Sequence, residues 1–322
     1  MKSAYRILLT CLACSFMWSA PVHGQYPAKS VRFILPFPPG GGTDTLGRAI
    51  GNRLSAGLGQ QIVIDNRPGG GANIGAELAA RSAPDGYTLF MVTATHAINA
   101  TLYRKLSYNL LKDFSPVSEL GTTAMVVVVH PSVPAKSVKE LISLAKAHPG
   151  EITHSSSGTG SITQLAAELF KNQAGVKMLH IPYKGGGPSV IALVSGEASV
   201  GFTTTPSCIN QIKAGRLRGL AVTTPKRSPF LPQLPTVAES GLPGYEAEAW
   251  YGVLVPAGTP KQIIARLHTE SVKSLQFADV KARLKATGLV PIGGTPEALE
   301  AYMRSEVGKW GTVVKALDLR VD

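Results

Sequence analysis

The sequence predicts a two-domain α/β protein, each domain a mainly parallel sheet flanked by helices, with a ligand cleft between the two. Three observations carry that expectation. Short apolar runs alternate with amphipathic helical segments along most of the chain. The alternation comes in two series, divided by the proline-punctuated stretch HPSVPAKS (130–137). Each series opens with a turn rich in glycine and small hydroxyl residues, PFPPGGGTD (36–44) and SSSGTGSIT (155–163).

The elements follow in order. Residues 1–24 carry Lys2 and Arg6, an uncharged apolar stretch from Ile7 to about Ala20, and then small residues. That is the pattern of a signal peptide cut after Gly24, so the mature chain is expected to be exported. A lipid anchor on Cys11 or Cys14 fits less well, because both lie inside the apolar stretch. No later segment approaches eighteen uninterrupted apolar residues, so no membrane span is expected.

Val31–Leu35 reads as a strand covered on both faces. Leu46, Ala49, Ile50 and Leu54 then form a stripe at helical spacing that would pack on it. A strand over 61–66, the turn RPGGGAN, a helix from about 74 to 81 and a strand over 86–93 complete the first series. The second begins after the strand AMVVVV (124–129). Helices are expected at 139–147, 162–174, 188–195 and 208–214, and strands at 151–155, 178–183, 198–204 and 217–224. In the helix at 162–174, Leu165, Leu169 and Phe170 share a face. A strand AWYGVLV (249–255) follows, and the remainder to Asp322 reads as mainly helical. No fixed-period repeat or low-complexity segment is present.

Composition narrows the function. A chain of 322 residues, 44% hydrophobic and 16% charged, can bury two cores of ordinary size. Its net charge of +12 is scattered and not interleaved with aromatics, which argues against a nucleic-acid groove. A diffuse positive field suits the steering of small anions, and solubility explains it equally well. Without the leader, Cys208 is the lone cysteine, so neither an internal disulfide nor a cysteine zinc site is expected. It reads as a small buried hydrophobe. Motifs for nucleotide phosphates (GxxxxGK[ST], GxGxxG) and for hydrolysis (GxSxG, HExxH) are missing, so no cofactor, metal or catalytic residue is assigned.

The two glycine turns point to an anion. Glycine admits positive φ and lets a ligand approach without a Cβ in the way. The helix that follows offers unpaired N–H groups and the positive end of its dipole. In open α/β sheets such turns lie at the carboxyl ends of the strands, where ligands gather. Asp44 has a plain role in the first helical turn, and acceptance from a ligand is its alternative. His96 and His154 follow strand-like segments, and packing is the default for both.

Several long blocks carry a resemblance. YPAKSVRFILPFPPGGGTDTLGRAI, VIDNRPGGGANIGAELAARSAPDGYTLFM, HPSVPAKSVKELISLAKAHPGEITHSSSGTGS, HIPYKGGGPSVIALVSGE, LPTVAESGLPGYEAEAWYGVLVPAGTP and EVGKWGTVVKA resemble the Bug-type periplasmic solute-binding proteins, the receptor family of tripartite tricarboxylate transporters. The likeness spans essentially the whole mature chain. It implies a type II periplasmic-binding-protein fold, a Venus flytrap with domain 1 formed by 25–129 plus 250–322 and domain 2 by 130–249. It also implies a non-enzymatic receptor for a small carboxylate (a dicarboxylate, an acidic amino acid or an aromatic acid), held partly through waters and delivered to membrane permease subunits. The expected state is a monomer. An exported hydrolase on the same fold, or a receptor for a signalling protein, is the alternative.

Carried over by residue, the resemblance assigns ligand contact to Phe37, as an apolar wall, and to Gly40, Gly41, Thr43 and Asp44 of the first turn. Ser156, Ser157, Gly158 and Gly160 follow from the second turn, Thr95 and His96 from the end of the 86–93 strand, and Tyr183 and Lys184 from PYKGGG. Gln164 and Thr203 stand where the family commonly has His and Asp, so the ligand class transfers more securely than the individual ligand.

Overall fold

The protein is described here by a computed structural model covering residues 26–322. The expected signal peptide lies outside the described residues. Chain order is β1 (Val31–Leu35), α1 (Gly42–Leu58), β2 (Ile62–Asn66), α2 (Asn73–Ala80), β3 (Thr88–Thr93), α3 (Ala94–Leu102) and β4 (Phe114–Val129). There follow α4 (Val138–Ala147), β5 (Thr153–Ser156), α5 (Ile162–Ala174), β6 (Leu179–Pro182), α6 (Gly186–Ser195), β7 (Val200–Thr204), α7 (Thr205–Lys213) and β8 (Arg218–Val222). The chain ends with β9 (Glu248–Pro256), α8 (Lys261–Gln276), α9 (Ala278–Thr287), β10 (Val290–Pro291) and α10 (Pro296–Ala316).

In the first lobe β1 runs parallel to β2 on one side and β3 on the other, which explains why its residues are apolar almost without alternation. The predicted stripe on α1 is buried against it: Leu46, Ala49, Ile50 and Leu54 all lie in the core. Each of the buried leucine and isoleucine side chains is worth about 1.5–3 kcal/mol. Gly59 ends the helix at φ 73°, the left-handed cap that glycine takes without a steric penalty. In the second lobe Leu165 and Phe170 of α5 are buried as expected, while Leu169 stays half-buried. Phe170 packs on Phe202 and Tyr245, with ring centroids 5.3 and 6.3 Å away.

The two lobes share one strand. Residues 114–124 of β4 pair antiparallel with β9, while residues 125–129 lie between β7 and β8. The partner change therefore falls between Ala124 and Met125, five residues before the 129/130 division that the resemblance implied. The run of valines fits this position. Val126 and Val128 face one apolar cluster with Leu193 and Ile209, while Val127 and Val129 face another that contains Phe202, so both faces of the strand are covered.

The chain returns to the first lobe at Ala247–Glu248. There the Thr223 hydroxyl accepts from the Met125 N–H (3.1 Å) and donates to the Ala247 carbonyl (2.7 Å), tying the two crossing segments side by side. Helix α3 is an element that periodicity did not reveal. It begins at the residue after β3, with no glycine or proline to announce the change. Among the described residues no helix is long and apolar enough to cross a membrane. Cys208 is free and buried, and burial pushes its thiol well above the ordinary range.

Candidate functional site

A cleft lies between the lobes, beside the crossing strands. Both lobes supply its wall. Phe37, Gly41, Gly42 and Thr43 come from the β1–α1 turn, and Thr93, Ala94 and Thr95 from the β3–α3 junction. Ser157, Ile162 and Thr163 come from the β5–α5 turn, Gly186 from the start of α6, and Thr203, Thr204 and Ser207 from the β7–α7 junction. Ala249, Trp250 and Tyr251 of β9 close the back.

Five helices therefore begin at this cleft. Their N-caps are Gly41, Thr93, Ser161, Gly185 and Thr204. Each helix start carries roughly half a positive charge on its unpaired amides. No lining residue is ionised at neutral pH, so the polar part of the wall consists of amide and hydroxyl dipoles. One polar atom of the wall lacks a partner within the protein. Thr43 is only 3% exposed, and its Oγ1 finds no hydrogen-bond partner in the protein. Buried polar atoms of this kind are rare and costly unless a ligand or water completes them.

Gly41 and Gly42 do different jobs. Gly41 has extended backbone (φ −96°, ψ −178°), and a Cβ built on it would have no atom within 4 Å. A side chain there would project into free space of the cleft. A Cβ on Gly42 would instead collide with the hydroxyl of Tyr251, so glycine at 42 lets that buried ring lean onto the start of α1. Burial pushes the Tyr251 phenol above its ordinary value, and the Thr204 hydroxyl beside it pulls the other way. The phenol remains neutral.

The lobes are in contact at the mouth. A Cβ on Gly185 would fall 2.6 Å from the Pro38 ring, and one on Gly186 would come within 3.9 Å of the Gly41 Cα. Across the cleft, the Ile162 N–H of the second lobe donates to Thr95 Oγ1 of the first at 3.3 Å. Glycines at 185 and 186 thus allow the two turns to close backbone to backbone.

Of the residues expected at the site, Phe37, Gly41, Thr43, Thr95, Ser157 and Thr203 stand on the wall. The others do not, and each has a local reason. Asp44 Oδ2 accepts from the Gly40 N–H (3.2 Å) and its Oδ1 from Arg48 Nε (2.8 Å), so the pair braces the turn from outside. His96 is fully buried in the first turn of α3, where Nδ1 accepts from the Thr93 N–H (3.0 Å). Its ring stands edge-on to Phe90, and burial lowers its pKa to about 4.

In the second lobe Gln164 Oε1 accepts from the Gly160 N–H (2.7 Å), a variant of the capping box that occupies both residues. Ser156 Oγ engages His180 Nε2 (2.7 Å) and accepts from the Gly158 N–H (3.2 Å). His180 in turn stacks on the buried His154, away from the cleft. Tyr183 donates its hydroxyl to Glu197 (2.8 Å), and Lys184 is exposed.

Sequence reasoning did not find Trp250 and Tyr251, which come from a strand some two hundred residues from the first turn. It also passed over the hydroxyls of Thr93, Thr163, Thr204 and Ser207. A signal for these existed: each sits where a strand ends or in the first turn of the helix that follows, the place where hydroxyl residues cap. Trp250 is held from behind. Its indole N–H donates to Glu306 Oε2 (2.9 Å), which also accepts from the Trp310 indole (3.0 Å).

Comparison with known proteins gives a consistent family. The model for "Tripartite tricarboxylate transporter family receptor" matches residues 46–319. Protein BugT of Bordetella pertussis is 36% identical over 300 residues, 92% of each chain. Among solved structures, R. palustris Rpa4515 with adipate is similar at 38% identity and a TM-score of 0.89, covering 92% of this chain and 99% of that one. MatC from Rhodopseudomonas palustris with bound malate is similar at 30% identity and a TM-score of 0.86, covering 90% and 100%. The fold is that of the periplasmic binding proteins, two α/β lobes around a cleft.

Proposed function

Since the chain belongs to the tripartite tricarboxylate transporter receptor family, the Bug-type solute-binding proteins, we propose that it is a monomeric periplasmic receptor that closes its lobes on a small carboxylate and hands it to a membrane permease of that transporter type. The observation that carries the reading is the convergence of five helix N-termini and a set of hydroxyls on one uncharged cleft, with Thr43 Oγ1 left for a ligand to complete. A carboxylate is the small anion such an array fits: its lone pairs accept from several amides and hydroxyls at once, in bonds stronger than neutral ones. Adipate and malate, held by two structural neighbours, belong to that class.

The proposal includes export. The basic and apolar leader supports it, and so does the family's place in the periplasm. The receptor role is taken over an enzymatic one because the wall offers no general base: Ser156 and His180 form a close pair, but Ser156 is turned away from the cleft. The test uses the purified mature chain and a panel of carboxylates in a thermal-shift assay. A ligand at a hundred times its Kd adds about 2.7 kcal/mol to stability and moves the midpoint by several degrees. Each ligand found is then incubated with the protein and assayed for conversion. No shift with any acid would overturn the carboxylate reading, and conversion of a bound acid would overturn the receptor reading.

A further inference from the structure

We propose that the cleft selects against acids bearing an ammonium group, so that its ligand is a plain, hydroxy or aromatic carboxylate and not an amino acid. This rests on the carboxylate reading above and narrows it.

The argument is one of charge and of donor direction. A bound ammonium loses its water and needs acceptors, preferably a carboxylate. None of the residues lining the cleft carries one. Asp44, the acid in the first turn of α1, is already engaged. Its Oδ2 accepts from the Gly40 amide, its Oδ1 accepts from Arg48 and lies 3.4 Å from Asn66 Nδ2, and the Arg48 guanidinium neutralises it. What remains is helix-start amides and neutral hydroxyls, and a hydroxyl offers an ammonium only an uncharged lone pair. At a helix start the free backbone groups are N–H, not C=O. Five such starts meet here, and each adds positive potential where an ammonium would have to sit. The Trp250 indole N–H donates away from the cleft to Glu306, so the back wall offers no compensating negative group. Thr43 Oγ1, buried and unpartnered, points independently to a ligand at this place.

Thr203 is the position that decides the sign. It ends β7, is 2% exposed, and stands on the wall beside the start of α7. Aspartate is close to threonine in size, so Thr203→Asp would place a single negative charge in the cleft with little change of shape.

Isothermal titration with matched pairs that differ only by an amino group tests this: succinate and aspartate, glutarate and glutamate, adipate and 2-aminoadipate, phenylpropanoate and phenylalanine. The expected result is that, wherever the parent acid binds, its amino partner binds at least tenfold more weakly. Thr203→Asp, with its fold checked by circular dichroism, is expected to reverse the order of those pairs. An amino acid that binds wild-type protein within tenfold of its parent overturns the proposal while leaving the carboxylate reading intact. Absence of binding by every acid in the panel overturns both. Should Thr203→Asp fail to fold, the wild-type pairs decide alone.

Discussion

Gly41→Val separates a cleft residue from a scaffold residue. The native backbone at 41 is extended, which valine adopts freely, and the added Cβ meets no atom within 4 Å. The fold therefore loses little. Glycine at an N-cap is a better residue than valine by about a kcal/mol at most, and for a chain of this size that lowers the melting midpoint by only ~1–3 °C. Ligand binding pays differently, because the isopropyl group occupies cleft space against the start of α1. Overfilling a packed site by this amount costs about 1–3 kcal/mol, which converts to a Kd roughly 5 to 150 times larger. Gly42→Ala gives the contrast. Its Cβ collides with the buried Tyr251 hydroxyl, so the fold itself is expected to lose about 1–3 kcal/mol. Titration calorimetry with a bound acid, run beside a thermal melt, reads both quantities. A folded Gly41→Val protein with wild-type affinity would refute the placement of ligand against α1.

Three other predictions follow from individual side chains. Thr43→Val keeps the shape and removes an unpartnered hydroxyl, so the ligand-free melting point is expected to hold or rise while affinity for the acid falls by about 1.5–3 kcal/mol; a drop in the ligand-free melting point, or no change in Kd, speaks against Thr43 as a ligand donor. Glu306→Ala leaves the indole N–H groups of Trp250 and Trp310 without an acceptor and is expected to cost on the order of 2–6 kcal/mol, with Glu306→Gln milder; denaturant titration followed by tryptophan fluorescence checks it. His96 has its pKa lowered to about 4 by burial, so between about pH 6.5 and 4 the unfolded chain binds a proton that the folded chain refuses. Stability is then lost as pH falls through that window, on the order of 3 kcal/mol from His96, and His180, also lowered to about 4, adds in the same direction. His96→Gln is expected to flatten the slope, and an unchanged slope in chemical denaturation between pH 6.5 and 4 would remove His96 as its source.

Much of this was legible in the chain. The stripe on α1, the bare apolar run of β1 and the run Val126–Val129 of β4 report burial through local spacing, because a residue's neighbours along a helix or strand set its face. The glycine and hydroxyl turns were legible for a related reason: only certain residue types permit a strand to turn into a helix with its amides exposed. The resemblance to a family added the arrangement of lobes. Other features left no local mark. Helix α3 starts without punctuation, and β4 runs ten residues further toward its N-terminus than its valines suggest, since Phe114 to Thr123 is polar enough to pass for a loop.

What the sequence by itself determined is the set of elements and the existence of two turns able to hold an anion. What the tertiary structure decided is which side chains are free to do so. Asp44, His96, Ser156 and Gln164 have the right chemistry near the right turns, yet each has at least one polar atom tied to the backbone or to a neighbouring side chain and none stands on the cleft wall. Tyr251 and Trp250 reach the same cleft from a strand far along the chain, and Gly42 is glycine because of one of them. The physical reason is that hydrogen-bonding capacity is a property of a residue, whereas its availability depends on what folding brings within about three ångströms.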